Sequence, residues 1–121
     1  MNRMARHELA ERTLTSRHVR PPARWVRAST TSPFDLLMLR PDNGRLKATF
    51  VEIKTARGRR SSDLSEAEVE FARFAEVHGC PYVIARYRVV GNAATAERLY
   101  RPFSGGESRL SEVELEFEVS K

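Results

Sequence analysis

Residues 35–55 read Asp35-Leu-Leu-Met-Leu-Arg-Pro-Asp-Asn-Gly-Arg-Leu-Lys-Ala-Thr-Phe-Val-Glu-Ile-Lys-Thr55, and the fold turns on them. Asp35 to Arg40 is a compact apolar run of strand length. Pro41-Asp-Asn-Gly follows with turn chemistry, because Asn43 and Gly44 tolerate the positive φ that a tight hairpin demands. Lys47 to Thr55 then resumes an apolar strand, so the stretch predicts a β-hairpin. Glu52 and Lys54 lie two residues apart and share a face, whereas Ile53 between them points the other way, towards a core. Polar side chains at two consecutive same-face positions of an otherwise apolar strand require an explanation. Pairing with neighbours across a surface hairpin is the plain one, worth only about 0.2–1 kcal/mol. The same hairpin, however, brings Asp35 towards Glu52 and sets a carboxylate pair beside an ammonium.

Downstream, Arg57-Gly-Arg-Arg-Ser-Ser-Asp63 reads as a polar loop, and Ser65 with Glu68 forms a capping box that opens a helix. Ala67, Phe71, Phe74, Ala75 and His78 recur at helical spacing, and Gly79 ends the run. Pro81 to Val90 is a further strand; strand, helix, strand in this order predicts a right-handed crossover and parallel pairing. Upstream, residues 3–14 read as a short helix with Met4, Leu9 and Leu14 loosely on one side. Pro21-Pro22 breaks any helix there, and Trp25 to Ala28 suits a short first strand with Trp25 in the core. Arg98 to Phe103 reads as an edge strand, the place where Pro102 is tolerated. Val113 to Val119 alternates strictly, as a half-exposed strand with a glutamate face does.

A chain of 121 residues, 40% of them hydrophobic, suits one α/β domain with a core of its own. No apolar run approaches the ~20 residues that cross a bilayer, and no signal-peptide pattern opens the chain, so cytoplasmic residence is the default expectation. The single cysteine, Cys80, excludes an internal disulfide and a Cys-rich zinc site, and is expected to be a small buried hydrophobe. His7, His18 and His78 show no metal-ligand spacing and read as structural or exposed. The net charge of +5 is unevenly divided: residues 1–60 carry +9 and residues 61–121 carry −4. A basic half favours a polyanion, since each neutralised phosphate releases condensed counterions. Arg24, Arg27, Arg57, Arg59 and Arg60 are the candidate phosphate-gripping residues, because a planar guanidinium fork suits phosphate.

Asp35 and Glu52 are the oxygen donors that a hard cation such as Mg²⁺ takes, and the backbone carbonyl of Ile53 can supply a third. Lys54 is placed to orient a water or to stabilise charge developing on phosphorus. The Pro33-Phe-Asp35 … Glu52-Ile-Lys54 arrangement resembles the PD-(D/E)XK motif of the restriction-endonuclease-like nucleases. Leu64-Ser-Glu-Ala-Glu68 resembles the segment that opens the next helix in several of them, and Tyr82-Val-Ile-Ala-Arg-Tyr87 the strand that follows. Holliday-junction-resolvase-like and VRR-NUC nucleases and the plant NO VEIN-type domain are the subgroups it is most similar to. The resemblance covers about residues 33–90, between a basic N-terminal helix and arm (1–32) and a C-terminal β extension (91–121).

The resemblance implies an αβββαβ core with a mixed sheet flanked by helices. It also implies Mg²⁺-dependent hydrolysis of DNA phosphodiester bonds, with Mn²⁺ substituting and Asp35, Glu52 and Lys54 catalytic. A first-helix glutamate completes the metal site in several of these groups, which makes Glu8 the candidate and Glu11 the second. Glu68 is read first as a capping residue and second as a catalytic accessory. Homodimers are common in the superfamily, and in a domain this small a protein partner is one source of specificity. The rival expectation is a catalytically silent nucleic-acid-binding or regulatory module with the same fold.

Overall fold

A computed structural model describes residues 2–55 and 64–102 of the chain. Its elements run in the order α1 (Arg3–His18), β1 (Arg24–Arg27), β2 (Leu36–Asp42), β3 (Arg45–Lys54), α2 (Glu66–Val77), β4 (Tyr82–Val90) and β5 (Ala93–Tyr100). The five strands form one mixed sheet in sequence order, so the described chain is α/β with two helices. None of its helices is long and apolar enough to cross a membrane.

Local chemistry accounts for most of the sheet. Asn43 (φ 51°) and Gly44 (φ 80°) form the two-residue turn joining β2 to β3, and both need the left-handed region. Pro41 and Asp42 belong to β2 rather than to the turn. The turn sets an antiparallel register from Asp42↔Arg45 to Leu36↔Val51. β3 pairs with β4 in parallel, Glu52 opposite Ile84 and Lys54 opposite Arg86, with α2 as the connecting element. Ser65 caps α2 and Glu68 completes the capping box. Gly79 (φ 83°) takes the left-handed conformation beyond its last turn.

Alternation along the strands divides the core into two layers. On one face, Leu36, Met38, Val51, Ile53, Val83, Ala85, Tyr87 and Leu99 pack with Ala10 and Leu14 of α1. On the other, Tyr82 and Ile84 pack with Ala72 of α2, joined by Phe34, Phe50, Leu64, Phe71 and Tyr100. Burying a leucine such as Leu14 contributes about 1.5–3 kcal/mol, so α1 and Leu99 are built into the core although both lie outside residues 33–90.

Several local expectations are corrected. α1 extends to His18, and its inward face carries Ala10, Glu11, Leu14 and Thr15, while Met4 is 70% exposed. Trp25 is not in the core: β1 is an edge strand, every residue of it is exposed, and Trp25 retains 37% of its surface. The strand expected at residues 98–103 is β5, which lies at the other edge but runs from Ala93 to Tyr100, with Arg101 and Pro102 beyond it. Cys80 is half-buried rather than buried. The loop of Arg57, Arg59 and Arg60 and the strand expected at 113–119 lie outside the described residues.

Candidate active site

Asp35 lies one residue before β2. Its amide donates to the Val51 carbonyl (2.8 Å), and its Oδ2 accepts from the Ile53 amide (2.7 Å). The carboxylate is thereby tied to the backbone of the strand that carries Glu52 and Lys54. Phe34, the residue before it, is the anchor. Its ring lies 4.8 Å from Phe50 and 5.3 Å from Phe71, inside the aromatic layer under α2. Tyr82 adds a second hold: its hydroxyl donates to the Pro33 carbonyl at 2.7 Å. Burial pushes the Tyr82 hydroxyl's pKa upward, and the nearby Glu52, Glu68 and Asp35 carboxylates add to it, so the phenol stays a donor.

Glu52 points to the α2 side and is 7% exposed. Lys54 Nζ sits 3.3 Å from Glu52 Oε2 and 3.3 Å from Glu68 Oε1. Glu68 Oε1 also accepts from the Ser65 amide (2.8 Å), so one carboxylate closes the helix cap and reaches the candidate site. Burial pushes Glu52 up to about 9, helped by the Asp35 charge and by its hydrogen bond to Glu68, while Lys54 opposes the shift. Glu68 moves the other way. Burial works against its charge, but the Ser65 amide, the Glu52 carboxyl and Lys54 together hold it below the usual range. The cluster therefore favours a proton on Glu52 and a charge on Glu68.

His7 approaches from α1. Its Nε2 lies 3.6 Å from Asp35 Oδ1 and 3.8 Å from Glu11 Oε1, so Asp35 is the point where the two layers meet. The residue types at positions 7 and 11 carried the signal for this. An i,i+4 pair shares one helix face, but nothing local says that the face turns to Asp35. Of the two first-helix glutamates, Glu8 is exposed. Glu11 is 4% exposed and is held by Arg27, whose Nε donates to Oε2 at 2.7 Å while Nη2 contacts the same oxygen. Arg24 is exposed on β1.

Asp35, Glu52, Lys54 and Glu68 are thus brought together; Glu8, Arg24 and Arg27 stand apart from them. Among the described residues, no three His, Cys, Asp or Glu side chains form a group arranged to hold a metal ion. A pair of carboxylates is nevertheless the donor set Mg²⁺ commonly takes from a protein, the remaining positions going to water and phosphate. An acid that keeps its proton because of its burial and, after that, a neighbouring carboxylate is one whose charge a divalent cation would favour. No family model, curated protein or solved structure matches the chain.

Proposed function

We propose that this chain is a divalent-metal-dependent nuclease of the PD-(D/E)XK, restriction-endonuclease-like type, cutting DNA phosphodiester bonds. One observation carries the reading. Asp35, Glu52 and Lys54 meet at the end of the β2–β3 ladder, where burial first and the Asp35 and Glu68 carboxylates second make a charge on Glu52 unfavourable. Perturbed acids of this kind collect at functional sites. Asp35 and Glu52 would hold Mg²⁺ or Mn²⁺, with the Ile53 carbonyl a further donor. A cation bound there neutralises charge on the phosphate and acidifies water.

The chain's own residues do the rest. The Ile53 amide and the Phe34 anchor fix Asp35 in place. Lys54 carries a positive charge to the phosphate, and Glu68 holds that ammonium from the α2 side. Glu68 therefore serves as both cap and positioning residue. Arg57, Arg59 and Arg60 follow β3 directly and supply phosphate contacts. A partner or a second copy remains the source of target choice in a domain of this size.

The test is cleavage of a panel of DNA structures with Mg²⁺ and with Mn²⁺, using Glu52→Ala and Lys54→Ala as controls. Cleavage that survives both substitutions would sink the proposal. A silent binding module is the second reading, favoured by the lack of a ready three-ligand group among the described residues. Binding without cutting in either metal would establish it.

A further inference from the structure

The β2–β3 hairpin outreaches the strand on its other side. β3 pairs with β2 from Arg45 to Val51, but β4 pairs only with residues 50–54. β4 enters the sheet at Pro81, coming from α2, so residues 45–49 have no strand beside them on that edge among the described residues. Backbone groups of successive residues turn to opposite sides of a strand. The Phe50 amide donates to the Pro81 carbonyl at 2.9 Å, whereas the Val51 carbonyl accepts from Asp35 on the β2 side. Leu46 and Ala48 therefore share the direction of Phe50, and each turns an N–H and a C=O to the open edge. A cavity of about 630 Å³ joins Leu46 and Ala48 to Cys80, Pro81 and Arg101. That volume lies inside the range of ligand sites, so the edge is a recess rather than a flat rim.

The two faces of this edge differ in chemistry. Arg45 and Lys47 share one face with Arg40, the register partner of Lys47, against one carboxylate, Asp42. The Lys47–Asp42 pair (3.7 Å) is solvated at both ends and worth little, so the face stays basic. Leu46 and Ala48 share the other face with their partners Pro41 and Leu39, and Leu46 keeps 62% of its surface exposed. A strand that fits carries acids on one side and apolar groups on the other. Glu112-Val-Glu-Leu-Glu-Phe-Glu-Val119 alternates in that way, with the period of a strand. One register sets its glutamates on the Arg45 and Lys47 face and its apolar side chains beside Leu46 and Ala48; a slip by one residue loses both. The chain also leaves the sheet at the right place. β5 runs back along β4, with Tyr100 opposite Ile84, and brings Arg101 into the same recess. The stretch from Pro102 to Glu112 reaches up to about 33 Å, and the open edge is only about 13 Å long. A second copy joined through this edge and centred on Lys47 would set lysine against lysine, which destabilises a ladder. Nucleic acid offers phosphates to the basic face but nothing to the apolar one.

We propose that residues 112–119 of the same chain dock in this recess and pair along the open edge of β3, glutamates towards Arg45 and Lys47. The added strand supplies the main-chain partners of Leu46 and Ala48 and covers an edge that otherwise recruits other chains. The proposal goes beyond the nuclease reading and does not rest on it.

Amide hydrogen exchange, followed residue by residue by NMR, tests it on the full chain. Leu46 and Ala48 should be protected there, and in a chain ending at Ser111 their amides should exchange at least about tenfold faster. Lys47 and Thr49 turn their amides to β2 and should change far less. Leu115→Asp with Phe117→Asp should speed the same two amides without shortening the chain. Arg45→Glu with Lys47→Glu, both at exposed positions, leaves the core untouched and should speed them as well. Adding Glu112→Lys, Glu114→Lys, Glu116→Lys and Glu118→Lys to that pair should restore protection. Leu46 and Ala48 amides as fast in the full chain as in the shortened one would overturn the proposal. So would protection that survives shortening, or hairpin charge reversal that the tail lysines do not rescue. Protection that grows with protein concentration would overturn it too, assigning the edge to a second copy.

Discussion

Two glutamates are buried to nearly the same degree on opposite faces of the sheet, Glu11 at 4% and Glu52 at 7% exposure. Glu11 is met by a guanidinium, with Arg27 placing two nitrogens on one carboxylate oxygen. Glu52 is met by Asp35 and Glu68, and its nearest cation, Lys54, is shared with Glu68. Burial of a charge is costly unless it is paired. The α1 glutamate is compensated and ties a helix to an edge strand. The β3 glutamate is left to keep a proton, pushed up to about 9. Equal burial thus separates a structural acid from a candidate chemical one, and the difference lies in the sign of the neighbours.

The largest expected effect breaks the comparison open. Glu52→Gln should lower Mg²⁺-dependent DNA cleavage by about 10²–10³-fold or more, the scale on which removing one transition-state stabiliser acts. Folding should survive, since the amide keeps the shape and removes a group that resists burial in its charged form. Glu11→Gln should change cleavage by less than about tenfold. Parallel rate assays and thermal melts decide the matter; equal loss of cleavage in both variants would remove the distinction.

The next effect is in pH. An unfolded Glu52 titrates near 4.5 and the folded one near 9, so the folded chain binds the extra proton across that interval. Stability contributed by this group is full below about pH 4.5 and declines as pH rises to about 9. In chelator, denaturant midpoints should therefore fall as pH rises from about 4.5 to about 9, and Glu52→Gln should flatten that fall. Glu11 supplies the smaller companion effect: Glu11→Gln should lower stability by about 1–2 kcal/mol. That is more than an exposed pair costs, because the acid is buried, and less than a buried pair, because Arg27 is mostly solvated. A denaturation midpoint unchanged by Glu11→Gln would show that the pair does not hold α1.

How far each glutamate could be read from sequence follows the same divide. The Glu52 surroundings are local. Asn43-Gly44 sets the hairpin register, alternation puts Glu52 and Lys54 on one face, and a capping pattern places Glu68 at the head of α2. Parallel pairing of β3 with β4 followed from the intervening helix. Glu11 and Arg27 are sixteen residues apart on different elements, and no periodicity connects them. His7 beside Asp35, and the Tyr82 bond to Pro33 forty-nine residues away, are equally non-local. Trp25 was expected in the core because large apolar side chains in strands usually are. Its exposure comes from β1 lying at the sheet edge, which strand composition does not encode. The place of Phe34 in the aromatic layer with Phe50 and Phe71 is likewise set by packing between elements.

The smallest expected effect sharpens the comparison at Glu68, which belongs to the fold and to the candidate site at once. Its amide donates to the Ser65 hydroxyl at 3.2 Å, while its carboxylate accepts from the Ser65 amide and from Lys54. Ser65→Ala deletes only the hydroxyl, so it should cost about 1 kcal/mol of stability, the usual loss of a cap. The Ser65 backbone amide and Lys54 remain, and with them the hold on Glu68, so cleavage should change by less than about threefold. Glu68→Ala removes both the cap's second bond and the contact to Lys54. If cutting depends on Lys54 being held from the α2 side, Glu68→Ala should reduce it by about tenfold or more, within the range seen for residues that orient a centre. Equal cleavage in Ser65→Ala and Glu68→Ala would confine Glu68 to capping and leave Lys54 positioned by Glu52 alone.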